Sequence, residues 1–290
     1  MKEENKEKKS KTTQRQDVGK EQFFTQFSTA EGLSSIIKSQ SWFGSITRII
    51  EPSAGDGVWL KYLDVDEAYD IEPKHPAVVE ANFLTYELTR QDGTLFVGNP
   101  PFGRMGTLAM QFIRKCTEFG DYIAFILPAS FGKATGIRRI PNNLHLVYQK
   151  DLLDEKFRYE EDGKKLSTVF QIWEKRSYER VDPELRRECD DFSFVKYVNP
   201  VSGDAAPCPD GSDICICTHG SGYGKVHTSN YQKKNTRTHR YIKVKEGKNI
   251  NDVANKLKAL NYERVAKYTV GQPCISTAEI VELYLEEECI

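Results

Sequence analysis

At 290 residues, 39% of them hydrophobic, the chain can bury one sizeable core and a smaller companion. Its 41 lysines and arginines nearly balance 42 aspartates and glutamates, so any nucleic-acid contact must come from local clustering of charge and not from the chain as a whole. No apolar run approaches the roughly 18 residues that span a bilayer, and the opening MKEENKEKKSKTTQRQ lacks the apolar core of a secretion signal, which points to a soluble intracellular protein of cytoplasm or nucleus.

In chain order, the first segment cannot fold by itself. Nine of its first sixteen residues are charged, so residues 1–19 are expected to form a disordered, weakly basic tail. From Phe23 to Trp173, β-like runs alternate with helical patterns. The runs are ITRII at 46–50, AYDI at 68–71, TLFVG at 94–98, YIAFIL at 122–127, HLVYQ at 145–149 and TVFQIW at 168–173. Helices fit at 29–38, 56–63 and 107–119. This alternation predicts an α/β unit over 20–178, its parallel sheet covered by helices on both faces. After Lys175 the texture turns polar and rich in Pro, Gly and Asp, which marks a boundary at 176–192. Residues 192–290 carry strand patterns near 193–198, 213–218 and 240–245, then helices at 250–260 and 277–287, enough for a small α+β unit.

The segments that carry chemistry stand where the strands end. IIEPSAGDGVW, 49–59, passes from a β-branched strand through Gly55 and Gly57 into a turn whose backbone a ligand can approach. A tight connection without a ligand would use the same residues. About fifteen residues on, Asp70 and Glu72 in EAYDIEP can accept hydrogen bonds from ribose hydroxyls, Asp70 being better placed directly after the strand; capping a short helix is the plainer role. Asn82 can bond the edge of an adenine, and Phe83 suits either its face or the core. In GNPPFG, Asn99 Oδ1 and the Pro100 carbonyl can grip both N–H bonds of a planar amine. Two acceptors so placed favour a tetrahedral nitrogen with a localised lone pair. Pro101 stiffens the turn and Phe102 can stack on the ring that bears the amine.

EPSAGDG, YDIEP, GNPPFG and IAFILPASF, in this order, resemble the motifs of class I S-adenosylmethionine-dependent amino-methyltransferases. More narrowly, the chain is similar to adenine-N6 methyltransferases of the gamma-like order, in which the cofactor motifs precede Asn-Pro-Pro-Phe. The resemblance spans roughly residues 20–175 and implies a Rossmann-like sheet with S-adenosyl-L-methionine as cofactor. It implies that Phe24 and Thr25 of KEQFFTQF close over the methionine end, although Gln26 replaces a frequent proline. Glu51, Ser53 and Gly55 would line the methionine moiety, Asp70 the ribose, and Asn82 with Phe83 the adenine, Asn82 standing where an aspartate is common. Asn99, Pro100, Pro101 and Phe102 would be the catalytic motif. The target base would be swung out of a helix or taken from a single strand, with Phe157, close to Tyr159, stacking opposite Phe102; closing the core is the other role open to Phe157.

Substrate signals are basic. Residues 225–245 hold seven lysines and arginines and no acid, among them Lys233, Lys234, Arg237 and Arg240, interleaved with Tyr231 and Tyr241. Lys133, Arg138 and Arg139 follow the fifth strand, on the catalytic edge. Cys208, Cys215, Cys217 and His219 are the possible zinc ligands, but their spacing lacks a C-x2-C knuckle, and no metal is expected; the seven scattered cysteines suit reduced thiols. The leading expectation is methylation of adenine N6 in nucleic acid, DNA ahead of RNA because the compact C-terminal unit resembles a target-recognition arrangement. An RNA methyltransferase acting on adenine N6 or guanine N2 is the nearest alternative. A catalytically inactive nucleic-acid-binding paralogue is another, against which the intact Gly55, Asp70, Asn99, Pro100 and Phe102 count.

Overall fold

The computed structural model describes residues 23–153, 157–158, 166–197, 208–269 and 272–286. The tail expected at 1–19, Tyr159 and Cys289 lie outside the described residues. Seven strands make the first sheet: β1 (Arg48–Glu51), β2 (Glu67–Asp70), β3 (Val79–Glu80), β4 (Thr94–Gly98), β5 (Tyr122–Pro128), β6 (Leu144–Leu152) and β7 (Thr168–Lys175). Their order is β3-β2-β1-β4-β5-β7-β6.

Unbroken apolar runs become the central strands. β4 is buried along its whole length and β5 at all but its first residue, because both faces are covered. Alternate residues feed two cores. Leu95, Val97, Ala124 and Ile126 meet Ala30, Leu33 and Ile37 of α1 (Phe27–Lys38) on one face. Phe96, Ile123, Phe125 and Leu127 meet Ala109, Phe112, Ile113 and Cys116 of α2 (Thr107–Phe119) on the other. Each fully buried Leu, Ile, Val or Phe among them contributes roughly 1.5–3 kcal/mol.

The Rossmann-like α/β expectation is met, with two corrections. The sheet is parallel from β3 through β5, but β7 runs antiparallel to both β5 and β6. β7 lies between β5 and β6 and hydrogen-bonds to both. The helix expected at 56–63 is only a single 3-10 turn, Trp59–Lys61. Gly55 and Gly57 hold φ of 51° and 71°, outside helical space.

The short helix α3 (Ala134–Ile137) follows β5. The segment after Lys175 is pinned to the first sheet: Arg180 donates to the carbonyls of Ile137, Ile140, Pro141 and Leu144. Beyond it, β8 (Phe192–Phe194), β9 (Ile214–Cys217), β10 (Val226–His227) and β11 (His239–Val244) form an antiparallel sheet in the order β10-β9-β11-β8. Helices α4 (Ile250–Ala259), α5 (Glu263–Ala266) and α6 (Thr277–Glu286) share a core with Ile214, Ile216 and Ile242. Cys215, Tyr231 and Tyr241 form a smaller cluster.

The seam between the two sheets is polar and paired. Lys133 Nζ lies 2.9 Å from Glu279 Oε1 and donates to the Cys274 carbonyl at 3.2 Å. Glu279 also accepts from the Ser276 amide, while its own amide donates to Ser276 Oγ, a capping box that starts α6. No described helix is long and apolar enough to cross a membrane.

Candidate active site

β1 pairs with β2 on one side and β4 on the other, so the chain leaves it in one direction and returns to build the sheet in the other. A crevice opens beyond the carboxyl ends of strands at such a switch point. Here it is a cavity of about 410 Å³, walled by the turn after β1, Asp70, the 81–84 segment, the loop after β4 and the strap Phe23–Thr25. Phe24, Thr25, Glu51, Ser53, Gly55, Asp70, Asn82, Phe83, Asn99, Pro101 and Phe102 all border it. Five separate stretches of sequence thus meet at one place.

Asp70 organises the glycine turn: Oδ2 accepts from the Gly55 amide and Oδ1 from the Glu72 amide, both at 2.8 Å. Further lone pairs on both oxygens can still accept from a ligand. A side chain at Gly55 would come within 2.8 Å of the Phe24 ring, so the close approach demands glycine. Glu72 instead pairs with Lys74. Asn82 Oδ1 accepts from the Leu84 amide at 3.1 Å. Phe83 is both core and cavity wall, stacked on Phe112 with ring centroids 5.6 Å apart.

Arg158, unmarked by any motif, holds the strap. Its Nε and Nη2 donate to the Thr25 carbonyl at 3.0 and 2.8 Å, and Nη2 lies 2.7 Å from Asp56 Oδ2. Phe24 and Arg158 also exchange both backbone hydrogen bonds. The strap in turn orients the amide after β4, because Asn99 Nδ2 donates to the Phe23 carbonyl at 2.8 Å. Oδ1 is left as the acceptor.

Around this cavity buried polar atoms lack partners. Glu51 Oε2, Ser53 Oγ, Asp56 Oδ1, Asn99 Oδ1 and Trp59 Nε1 have no hydrogen-bond partner among the described residues, and all five residues border the cavity. Asn99 Oδ1 is a pure acceptor, and so are Glu51 Oε2 and Asp56 Oδ1 when their carboxyls are ionised. Burial pushes the Glu51 carboxyl well above its ordinary range, and the neighbouring Asp56 and Asp70 push it the same way. Each orphaned atom costs roughly 1–3 kcal/mol. A ligand that presents N–H donors and positive charge to the three acceptors, and an acceptor to Trp59 Nε1, offsets that cost, and a wholly apolar one does not.

The structure separates other expected residues from this cavity. Pro100 is buried between Asn99 and Pro101 but does not border it. Phe157, 1% exposed, packs in the core beside Phe170 and Leu166 and is not a cavity wall; its apolar ring gains more from that core than from a solvent-facing position. Lys133 is committed to Glu279 and Cys274. Arg240 donates to the carbonyls of Thr236 and His239 and to the Tyr197 hydroxyl, so its charge is spent inside the second unit. Tyr231 and Tyr241 are buried with their hydroxyls on the carbonyls of Ser212 and Lys234, which removes them as stacking rings. Lys233, Arg237, Arg138 and Arg139 are exposed, and Lys234 partly so.

Among the described residues no group of three or more His, Cys, Asp or Glu is arranged to hold a metal. His219 Nε2 lies 3.2 Å from Cys274 Sγ, while Cys217 Sγ donates to the His219 carbonyl at 3.4 Å. Cys215 packs against the tyrosines, and burial pushes its thiol up to about 12. The six described cysteines form no disulfide.

No protein-family model and no curated protein matches the chain. Among solved structures it is similar to a candidate RNA methyltransferase from Pyrococcus horikoshii, at 17% identity and TM-score 0.42 over 53% of this chain and 87% of that one. It is also similar to the 23S rRNA methyltransferase ErmE, at 17% identity and TM-score 0.40 over 56% and 73%. A third similar structure is protein 1320 of Thermoplasma acidophilum, at 19% identity and TM-score 0.39 over 52% and 90%.

Proposed function

We propose that the cavity binds S-adenosyl-L-methionine and that residues 20–178 transfer its methyl group to the N6 amine of adenine in nucleic acid, DNA ahead of RNA, with 192–290 recognising the target. The observation that carries this reading is the convergence of orphaned acceptors, Glu51 Oε2, Asp56 Oδ1 and Asn99 Oδ1, on one cavity at the switch point. The donor set fits the cofactor. Glu51 and Asp56 accept from an ammonium group, Trp59 Nε1 and Ser53 Oγ can donate to a carboxylate, Asp70 takes ribose hydroxyls, and Asn82 with Phe83 takes the adenine. When bound, S-adenosylmethionine supplies an electrophilic methyl group on a sulfonium.

The chain's part in transfer is to position the amine. Asn99 Oδ1, aimed by the bond from Nδ2 to the Phe23 carbonyl, accepts one N–H of the target amine. Phe102, which borders both this cavity and the adjoining groove, stacks on the base. Arg158 keeps the strap and the glycine turn together, so the amine grip and the cofactor walls keep their spacing. The preference for DNA rests on the compact second unit set against the catalytic edge. Labelled S-adenosylmethionine offered with duplex DNA, single-stranded DNA and RNA pools, followed by digestion and identification of the methylated nucleoside, tests the proposal. N6-methyldeoxyadenosine is expected; label confined to RNA overturns the DNA preference, and label confined to protein, or none, overturns the reaction.

A further inference from the structure

Beyond Phe102 the chain makes a turn with three residues in left-handed backbone space, Gly103, Met105 and Gly106, at φ of 65°, 54° and 70°. Two are glycines, for which that conformation is easy; Met105 bears a side chain that opposes it. Among the described residues only Asn230 is a second non-glycine residue with positive φ, and asparagine tolerates the region. The turn is held from behind. Arg139 Nη1 donates to the Met105 carbonyl at 3.0 Å, and a side chain at Gly106 would come within 2.6 Å of the Phe131 ring, over which the Arg139 guanidinium also lies. The Met105 side chain therefore points away from the core, 80% exposed.

Its surroundings give that exposure a use. A groove of about 670 Å³ runs between the catalytic edge and the second unit, with Tyr268 and Gln272 on its far side. It shares Phe23, Phe102 and Gly103 with the cavity that holds the amine grip. Met105 and Arg139 both border this groove. An exposed thioether chain, held on a braced and strained turn at the approach to the site, buries little of its own surface. It can bury its apolar surface between stacked bases, where a flexible methionine conforms readily.

Building on the proposed reaction, we infer that Met105 is the wedge that fills the stack of a helical nucleic acid while the target nucleotide occupies the groove. Arg139 braces the turn and turns its remaining N–H donors toward a flanking phosphate. Base extrusion costs most when the target is paired, so the wedge matters for helical substrates and little for single strands.

The test offers one target sequence, paired and single-stranded, as DNA and as RNA, to the full chain with labelled S-adenosylmethionine. Met105→Ala should lower transfer to the paired target about tenfold or more and to the single strand less than about twofold. With 2-aminopurine in place of the target adenine, wild type should raise the fluorescence of the paired substrate on binding and Met105→Ala should not. Met105→Gly relieves the backbone but lacks the wedge, so it should share the loss. Equal effects on both substrates, rescue by glycine, unchanged fluorescence behaviour, or a wild type active only on single strands each overturn the wedge. A wild type that methylates no nucleic acid defeats the proposed reaction and the wedge with it; an active wild type with an indifferent Met105→Ala defeats the wedge alone.

Discussion

The cavity at the carboxyl edge of the first sheet and the seam between that sheet and helix α6 are both built from buried charge, and they handle it in opposite ways. In the seam each group has a partner: Lys133 has Glu279 and the Cys274 carbonyl, and Glu279 has Lys133 and the Ser276 amide. Around the cavity Glu51, Asp56 and Asn99 each keep a buried oxygen without one among the described residues. The seam closes its own electrostatics and so serves the fold. The cavity leaves them open, at a cost that a ligand of opposite character removes.

Substitutions in the two regions should therefore separate activity from stability. The largest effect is expected from Asn99→Ala: methyl transfer in single-turnover assays should fall between about a hundred- and a thousandfold, as on removal of one preorganised hydrogen-bonding group, with cofactor affinity retained in calorimetry. Unchanged turnover would remove Asn99 from the chemistry. Next, Lys133→Met strands the Glu279 carboxylate in the seam and should cost about 3 kcal/mol in denaturant unfolding while leaving cofactor affinity alone. A loss of affinity there would mean the two regions are not separable.

Glu51→Gln acts on both quantities, and its sign depends on pH. The folded protein holds the Glu51 carboxyl above the ordinary glutamate value of 4.5, so the unfolded chain gives up that proton first. Stability is fully present below that value and is lost as pH rises toward the folded pKa. Glu51→Gln should flatten this loss as pH rises above the ordinary glutamate value and weaken cofactor binding about tenfold, the removal of one charge-assisted hydrogen bond. A pH slope identical to wild type would place the titration elsewhere. The smallest effect belongs to a plain helix cap: Asn249 accepts from the amides of Asn251 and Asp252, and Asn249→Ala should cost about 1 kcal/mol in thermal unfolding with normal activity.

The strand ends were legible from the sequence because the strands leading to them are apolar without interruption. TLFVG and YIAFIL admit few other placements, and Asn99 follows the first of them directly. The helix drawn at 56–63 failed because two left-handed glycines and the Asp56–Arg158 pair hold that stretch as a turn. Tyr231, Tyr241 and Arg240 read as a nucleic-acid surface because a basic segment reads as solvent-facing. In the fold, the rings pack with Cys215 and the guanidinium satisfies loop carbonyls. Arg158 had no signal, since its partner Thr25 is 133 residues away.

The most direct measurement is calorimetric titration of S-adenosyl-L-methionine into the full chain in buffers of different ionisation heat. A cationic ligand seated beside Glu51 lowers its raised pKa, so binding should release protons at pH above the ordinary glutamate value, and the release should vanish in Glu51→Gln. Absence of binding, or the same proton release with and without the Glu51 carboxyl, would contradict a cavity completed by this cofactor.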